Sequence, residues 1–203
     1  MTKQPPNKKY DRAYFDRWYR RRRSRIESPA TLRRRVSLAV ALAERYLDRP
    51  LRSALDIGCG EARWRAELKR LRPRLEYRGL DSSAYVVERF GRRRNISSGS
   101  FAELPDLDLG GPFDLVVCAD VLHYLLDEEL DRGLPAVAMV TGGLAWLEAL
   151  CREDEVEGDL RGLILRPAAA YRHRLRHLRL TPVGACGWLA PALGTNPSAL
   201  ETT

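Results

Sequence analysis

Two short runs place glycines and carboxylates where a charged organic ligand could be held. In Leu55-Asp56-Ile57-Gly58-Cys59-Gly60 an apolar stretch carries an acid and ends in a glycine turn, and 25 residues after Asp56 a second acid, Asp81, closes the run Tyr77-Arg78-Gly79-Leu80. Glycines at such a turn let the backbone approach a ligand with no Cβ in the way. A carboxylate at a strand end can accept two hydrogen bonds at once. A third apolar run, Phe113 to Ala119, leads into Asp120, Val121, Leu122, His123 and Tyr124. His123 beside a reactive group could serve as a general base; lining the pocket or making a structural hydrogen bond are its other readings. A dinucleotide fingerprint would need a third glycine where this chain has Arg63, and Asp56 is awkward beside a pyrophosphate. That acid suits a ligand with a positive end, such as an amino group or a sulfonium.

These residues need a frame of strands. Ser53–Ile57, Tyr77–Leu80, Ile96–Ser98, Phe113–Ala119 and the apolar stretch 143–150 read as five strands. The spacing predicts helices between them over Ala62–Leu71, from a Ser82 or Ser83 cap to about Phe90, and over Asp127–Val140 with a kink or break at Pro135. Upstream, a helix over Tyr10–Arg25 groups Tyr14, Phe15, Trp18 and Tyr19, and a second helix opens with a Ser28 cap and Pro29 and runs to Leu47. Downstream, Pro167–His177 reads as a helix, Leu180–Leu189 has strand character, and a seventh strand is not evident. Strands alternating with helices predict an α/β fold, a doubly wound and mostly parallel sheet with helices on both faces. The expected division is a basic N-terminal helical extension over 1–49, a ligand-binding domain over 50–190 and a flexible tail over 191–203.

Ala54-Leu55-Asp56-Ile57-Gly58-Cys59-Gly60 resembles the first motif of the class I S-adenosylmethionine (SAM)-dependent methyltransferases, with Ala62 in place of that motif's last glycine. Arg78-Gly79-Leu80-Asp81 resembles their second motif, and Phe113 to Tyr124 their fourth motif and the loop after it. The resemblance covers about residues 50–150 and implies a Rossmann-like fold. It further implies SAM as cofactor, S-adenosylhomocysteine (SAH) as product, and no metal. On that pattern Asp56, Gly58, Cys59, Gly60, Asp81, Ser82, Ser100, Phe101, Ala119, Asp120 and His123 are the expected cofactor contacts. Ser100 and Phe101 would flank adenine; Phe101 as ordinary core is the other reading. Only about 53 residues follow Leu150, which points to a shortened C-terminal half.

The charge is divided sharply. Residues 1–35 hold 13 Lys and Arg against 3 Asp and Glu, while the rest holds 22 against 24. The basic arm, with Arg20-Arg21-Arg22-Arg23 and Arg33-Arg34-Arg35, is a candidate for nucleic acid, or else a solvated helix. Its aromatics make a lid over the cofactor a further reading. Cys59, Cys118, Cys151 and Cys186 form no CxxC pair, which fits a reducing cytoplasm. No apolar run approaches the roughly 20 residues of a membrane span, and the N-terminus lacks the apolar core of a secretory signal. His173 and His177 sit four apart among Arg172, Arg174 and Arg176, a basic helix that repels a metal. The expected function is methyl transfer to an unidentified acceptor, most simply a small molecule. The alternatives are nucleic-acid methylation and a non-catalytic SAM-binding module.

Overall fold

A computed structural model describes residues 10–20, 27–155 and 160–198. The arginines at 21–23 therefore lie outside the described residues. Seven strands form one sheet: β1 (Ser53–Ile57), β2 (Glu76–Asp81), β3 (Ile96–Ser98), β4 (Phe113–Cys118), β5 (Thr141–Leu147), β6 (Thr181–Pro182) and β7 (Gly187–Leu189). Their order is β3-β2-β1-β4-β5-β7-β6. The first five pair in parallel; β7 runs antiparallel to both β5 and β6. This is the Rossmann-like arrangement, and its strand order reverses between β1 and β4, where the ends of neighbouring strands part to leave a crevice.

The seventh strand is the correction to the sequence reading. Gly184, Ala185 and Cys186 all take positive φ and turn the chain so that Gly187–Leu189 pairs with β5. A three-residue strand beside a two-residue one leaves too little periodicity to register in sequence.

Among the described residues six α-helices accompany the sheet: α1 (Arg12–Phe15), α2 (Pro29–Leu47), α3 (Arg63–Leu71), α4 (Ala84–Arg94), α5 (Asp127–Val140) and α6 (Ala168–His177). The Ser28 hydroxyl accepts the Thr31 N–H and Pro29 occupies the first turn, so α2 starts where the sequence places it. A π-helical turn over Asp16–Arg20 extends α1. α5 runs unbroken through Pro135. The proline is exposed, so the hydrogen bond it deletes faces water rather than the core.

Side-chain alternation along the strands divides the core in two. Ala54, Leu115, Val117, Leu144 and Trp146 pack with Val36, Val40, Trp64, Leu68, Val86 and Phe90, beneath α2, α3 and α4. Leu55, Ile57, Val116, Ala145 and Leu147 pack with Leu130, Leu134, Val137, Tyr171 and Leu175, beneath α5 and α6. The central strands β1, β4 and β5 therefore bury both faces, as the middle of a parallel sheet requires. At the tail, Pro191–Leu193 makes one 3₁₀ turn and Asn196 donates to the Tyr46 carbonyl at 3.3 Å. Among the described residues no helix is long and apolar enough to cross a membrane.

Candidate active site

The β1–α3 turn is tight because three consecutive alternate residues adopt left-handed backbone. Gly58 has φ +68°, Gly60 φ +51° and Ala62 φ +53°. The Gly58 and Cys59 N–H groups both donate to the Leu80 carbonyl, at 2.8 and 3.1 Å, tying the turn to the end of β2. A Cβ on Gly58 would come within 2.4 Å of a Val121 methyl. The loop after β4 thus lies against the glycine turn across the crevice.

Asp81 is fixed by that turn. One carboxylate oxygen accepts the Gly60 N–H at 2.7 Å and the other accepts the Ser83 N–H at 2.8 Å. Burial pushes its carboxyl up from the usual range, opposed by those two backbone bonds. Ser83, not Ser82, caps α4 through its hydroxyl and Val86 N–H; Ser82 is exposed beside it.

Asp56 is 3% exposed and accepts the Tyr77 hydroxyl at 2.8 Å. Burial raises its carboxyl to about 7; the Tyr77 bond opposes the rise and the Asp81 charge adds to it. Gly79 makes room for this group, since a Cβ there would stand 2.9 Å from the Cys59 sulfur and 3.1 Å from the Tyr77 hydroxyl. Sequence spacing does not single out Tyr77; Gly79 inside a strand is the sign of a close approach. Burial also pushes the Cys59 and Cys118 thiols well up, which makes both inert.

Ala119 and Asp120 follow β4 at the same edge, and Asp120 takes φ +60°. His123 is buried at 1% exposure and its Nδ1 accepts the Leu150 N–H at 3.1 Å. That bond puts the ring proton of a neutral imidazole on Nε2. The His123 carbonyl accepts the Ile164 N–H at 2.8 Å, so the segment after β5 is bound to this loop on two sides. The Phe101 ring packs on Gly133 of α5, within the second core. The Ser100 N–H is taken by the Glu103 carboxylate at 2.7 Å, capping the 3₁₀ turn Phe101–Asp106.

Two groups from the N-terminal extension reach the edge. The Tyr10 carbonyl accepts the Ser83 hydroxyl at 2.5 Å, and the buried Phe15 stacks on Tyr85 with ring centroids 5.7 Å apart. Arg35 of α2 donates to Glu27 at 2.7 Å and to Glu148 just past β5, and stands 3.7 Å from Asp120. His173 and His177 are exposed on α6.

Residues 55–141 match a family model described as a methyltransferase domain. Over that stretch the chain is similar to methyltransferase domains. Solved methyltransferases share the fold of this chain at low identity. DesVI of Streptomyces venezuelae superposes with a TM-score of 0.63 at 16% identity, covering 79% of this chain and 92% of that one. Magnesium protoporphyrin IX methyltransferase (ChlM) of Synechocystis PCC 6803, solved with bound SAM, gives 0.58 at 18% identity, covering 85% and 83%. The plantazolicin methyltransferase BamL, solved with SAH and a triazolic analog, gives 0.59 at 15%, covering 74% of this chain and 63% of that one. No curated protein sequence matches the chain. At the crevice two glycines leave the floor free of side chains, and an anchored carboxylate stands at the β2 end.

Proposed function

We propose that this chain is a SAM-dependent methyltransferase acting on a small-molecule acceptor held at the C-terminal ends of β4 and β5. The carrying observation is the anchored Asp81 beside the Gly58–Gly60 turn at the β1/β4 crevice. In this reading Asp81 accepts the ribose hydroxyls, since each of its oxygens has a lone pair beyond the one spent on backbone. Gly58, Cys59 and Gly60 supply backbone against the cofactor's amino-acid end, Asp56 supplies negative charge nearby, and Ser82, Ala119 and Asp120 complete the rim.

Bound SAM supplies a methyl group already activated on a sulfonium. What remains for the chain is to exclude water and align the acceptor, and alignment accounts for much of the rate. His123 acts in this reading as a positioning group: its Nδ1 is engaged with Leu150, so it orients the β4 loop and the segment after β5. A base role would need an unprotonated nitrogen facing the acceptor. The test is twofold. SAH should raise the melting temperature, as a ligand selective for the folded state must. Labelled SAM incubated with a fractionated cell extract should label a small molecule; label found only in RNA or protein would refute the small-molecule reading.

A further inference from the structure

The acceptor side of the crevice carries an ionic cluster that the cofactor does not explain. Glu27, Asp120 and Glu148 surround the Arg35 guanidinium, and Arg63 turns aside to donate to the Glu27 carbonyl at 3.2 Å. Among the described residues the cluster's carboxylates outnumber its guanidiniums. Asp120, half exposed, marks the open side, while the Glu27 and Glu148 side chains are 8% and 17% exposed. Among the described residues no His, Cys, Asp and Glu group has the spacing to hold a metal ion.

A second, independent feature lies against the same cluster. Trp146 leaves β5 on the face that carries Glu148 two residues on, and packs against Trp64 at 5.9 Å between ring centroids. The Arg35 guanidinium lies over that same Trp64 ring at 5.8 Å. Trp146 is 2% exposed, and its indole N–H is buried with no hydrogen-bond partner; so is the Arg35 Nε–H. Two orphaned donors call for an oxygen acceptor, because a buried N–H left unpaired is costly. Surplus carboxylates call for a cation.

We infer that the acceptor is a small hydroxylated or carboxylated amine, its nitrogen held by Asp120 and Glu148 and its oxygen by the Trp146 and Arg35 N–H groups. The inference rests on the methyl-transfer reading above. The bound ammonium first gives up a proton to a carboxylate of the cluster, and the freed nitrogen lone pair forms the new bond to the methyl carbon. The carbon–sulfur bond breaks with its electron pair going to sulfur, and the carboxylate passes its proton on to water.

The probe is methyl-labelled SAM with the small-molecule extract of the source cells, followed by removal of unreacted SAM and cation exchange at acid pH, where carboxyls are neutral and amines stay cationic. Labelled product retained on the exchanger is expected. Label that runs through overturns the amine inference while leaving methyl transfer standing; no labelled product in any fraction overturns both. With the retained acceptor purified, Glu148→Gln should raise its KM at least about tenfold, the loss of one charged hydrogen bond. SAH affinity should stay within twofold. Trp146→Phe keeps a ring against Trp64 and removes only the N–H, so it should raise the acceptor KM about threefold at unchanged kcat. Unchanged KM in both variants overturns the assignment.

Discussion

Asp56 is the residue whose chemistry depends most on its surroundings. Burial first, with the Asp81 charge adding, raises its carboxyl to about 7 against the Tyr77 hydrogen bond. A raised carboxyl is disfavoured as the anion in the folded chain, so its contribution to stability is full below pH about 4 and is lost as pH rises through about 7. A ligand ammonium beside it reverses the preference and expels the proton. SAH should therefore bind about tenfold more tightly at pH 8 than at pH 6, following the ionised fraction of a group titrating at 7. Asp56→Asn should flatten that dependence. Calorimetry at the two pH values decides it, and a flat profile in the unmodified protein removes Asp56 from binding. Asp81 makes a different demand. Asp81→Ala should weaken SAH at least about tenfold, because hydrogen bonds to a charged group are worth about 1.5–3 kcal/mol each. The same change frees the Gly60 and Ser83 N–H groups, so the melting temperature should fall as well. Unchanged SAH affinity in folded Asp81→Ala would refute the ribose assignment.

Between elements, the glycine turn and the β4 loop are packed against each other. Gly58→Val would place its Cβ against Val121 at a backbone φ of +68°. A β-branched residue resists that φ strongly, so both stability and SAH binding should be lost; a variant that binds normally would place the turn outside the pocket. At the opposite end of β4, Asp114 holds β1 and the end of α2 in place. It accepts both Arg49 guanidinium nitrogens at 2.7 Å and the Arg52 N–H at 2.7 Å. Burial works to raise this carboxyl, but the Arg49 bonds and the backbone donors outweigh it and hold it below its usual range. A depressed carboxyl adds stability above pH about 4 that is lost as pH falls further. Asp114→Ala should cost about 2 kcal/mol at neutral pH and leave SAH affinity intact, read by denaturant unfolding and calorimetry. Glu44 performs a similar task between α2 and α3, accepting from Arg72 and from the Leu51 N–H.

Over the whole molecule, two described residues of the N-terminal segment pack beside the end of β2. Phe15 joins the core of the α2–α4 face and Tyr10 receives the Ser83 hydroxyl, two residues from Asp81. Arg35, one of the arginines that make the arm basic, turns inward to Glu27 and Glu148. Deleting residues 1–25 should weaken SAH binding severalfold while the melting transition persists, since α2 and the sheet remain. An unchanged SAH affinity would rule out the lid. If the arm instead serves a polyanion, full-length protein should bind RNA with an affinity falling steeply with salt, as released counterions require. Titrating both proteins with both ligands at two salt concentrations separates the two.

Sequence alone determined the parallel half of the fold and the turn at which the cofactor is proposed to sit. Gly58 and Gly60 after an apolar strand, Asp81 closing the next and the buried run at Phe113 are local signals, because turn geometry and strand burial act over a few residues. Ala62 even shows why its position favours glycine: it carries a φ of +53°. What required the folded chain is whatever joins distant segments. Tyr77 reaches Asp56 only across paired strands. Arg35 meets Glu148 from 113 residues away. Phe101 finds Gly133 on another helix, and β7 exists only because β5 offers it an edge. Such contacts leave no periodic trace in sequence, since the partners are brought together by the packing of whole elements rather than by spacing along the chain.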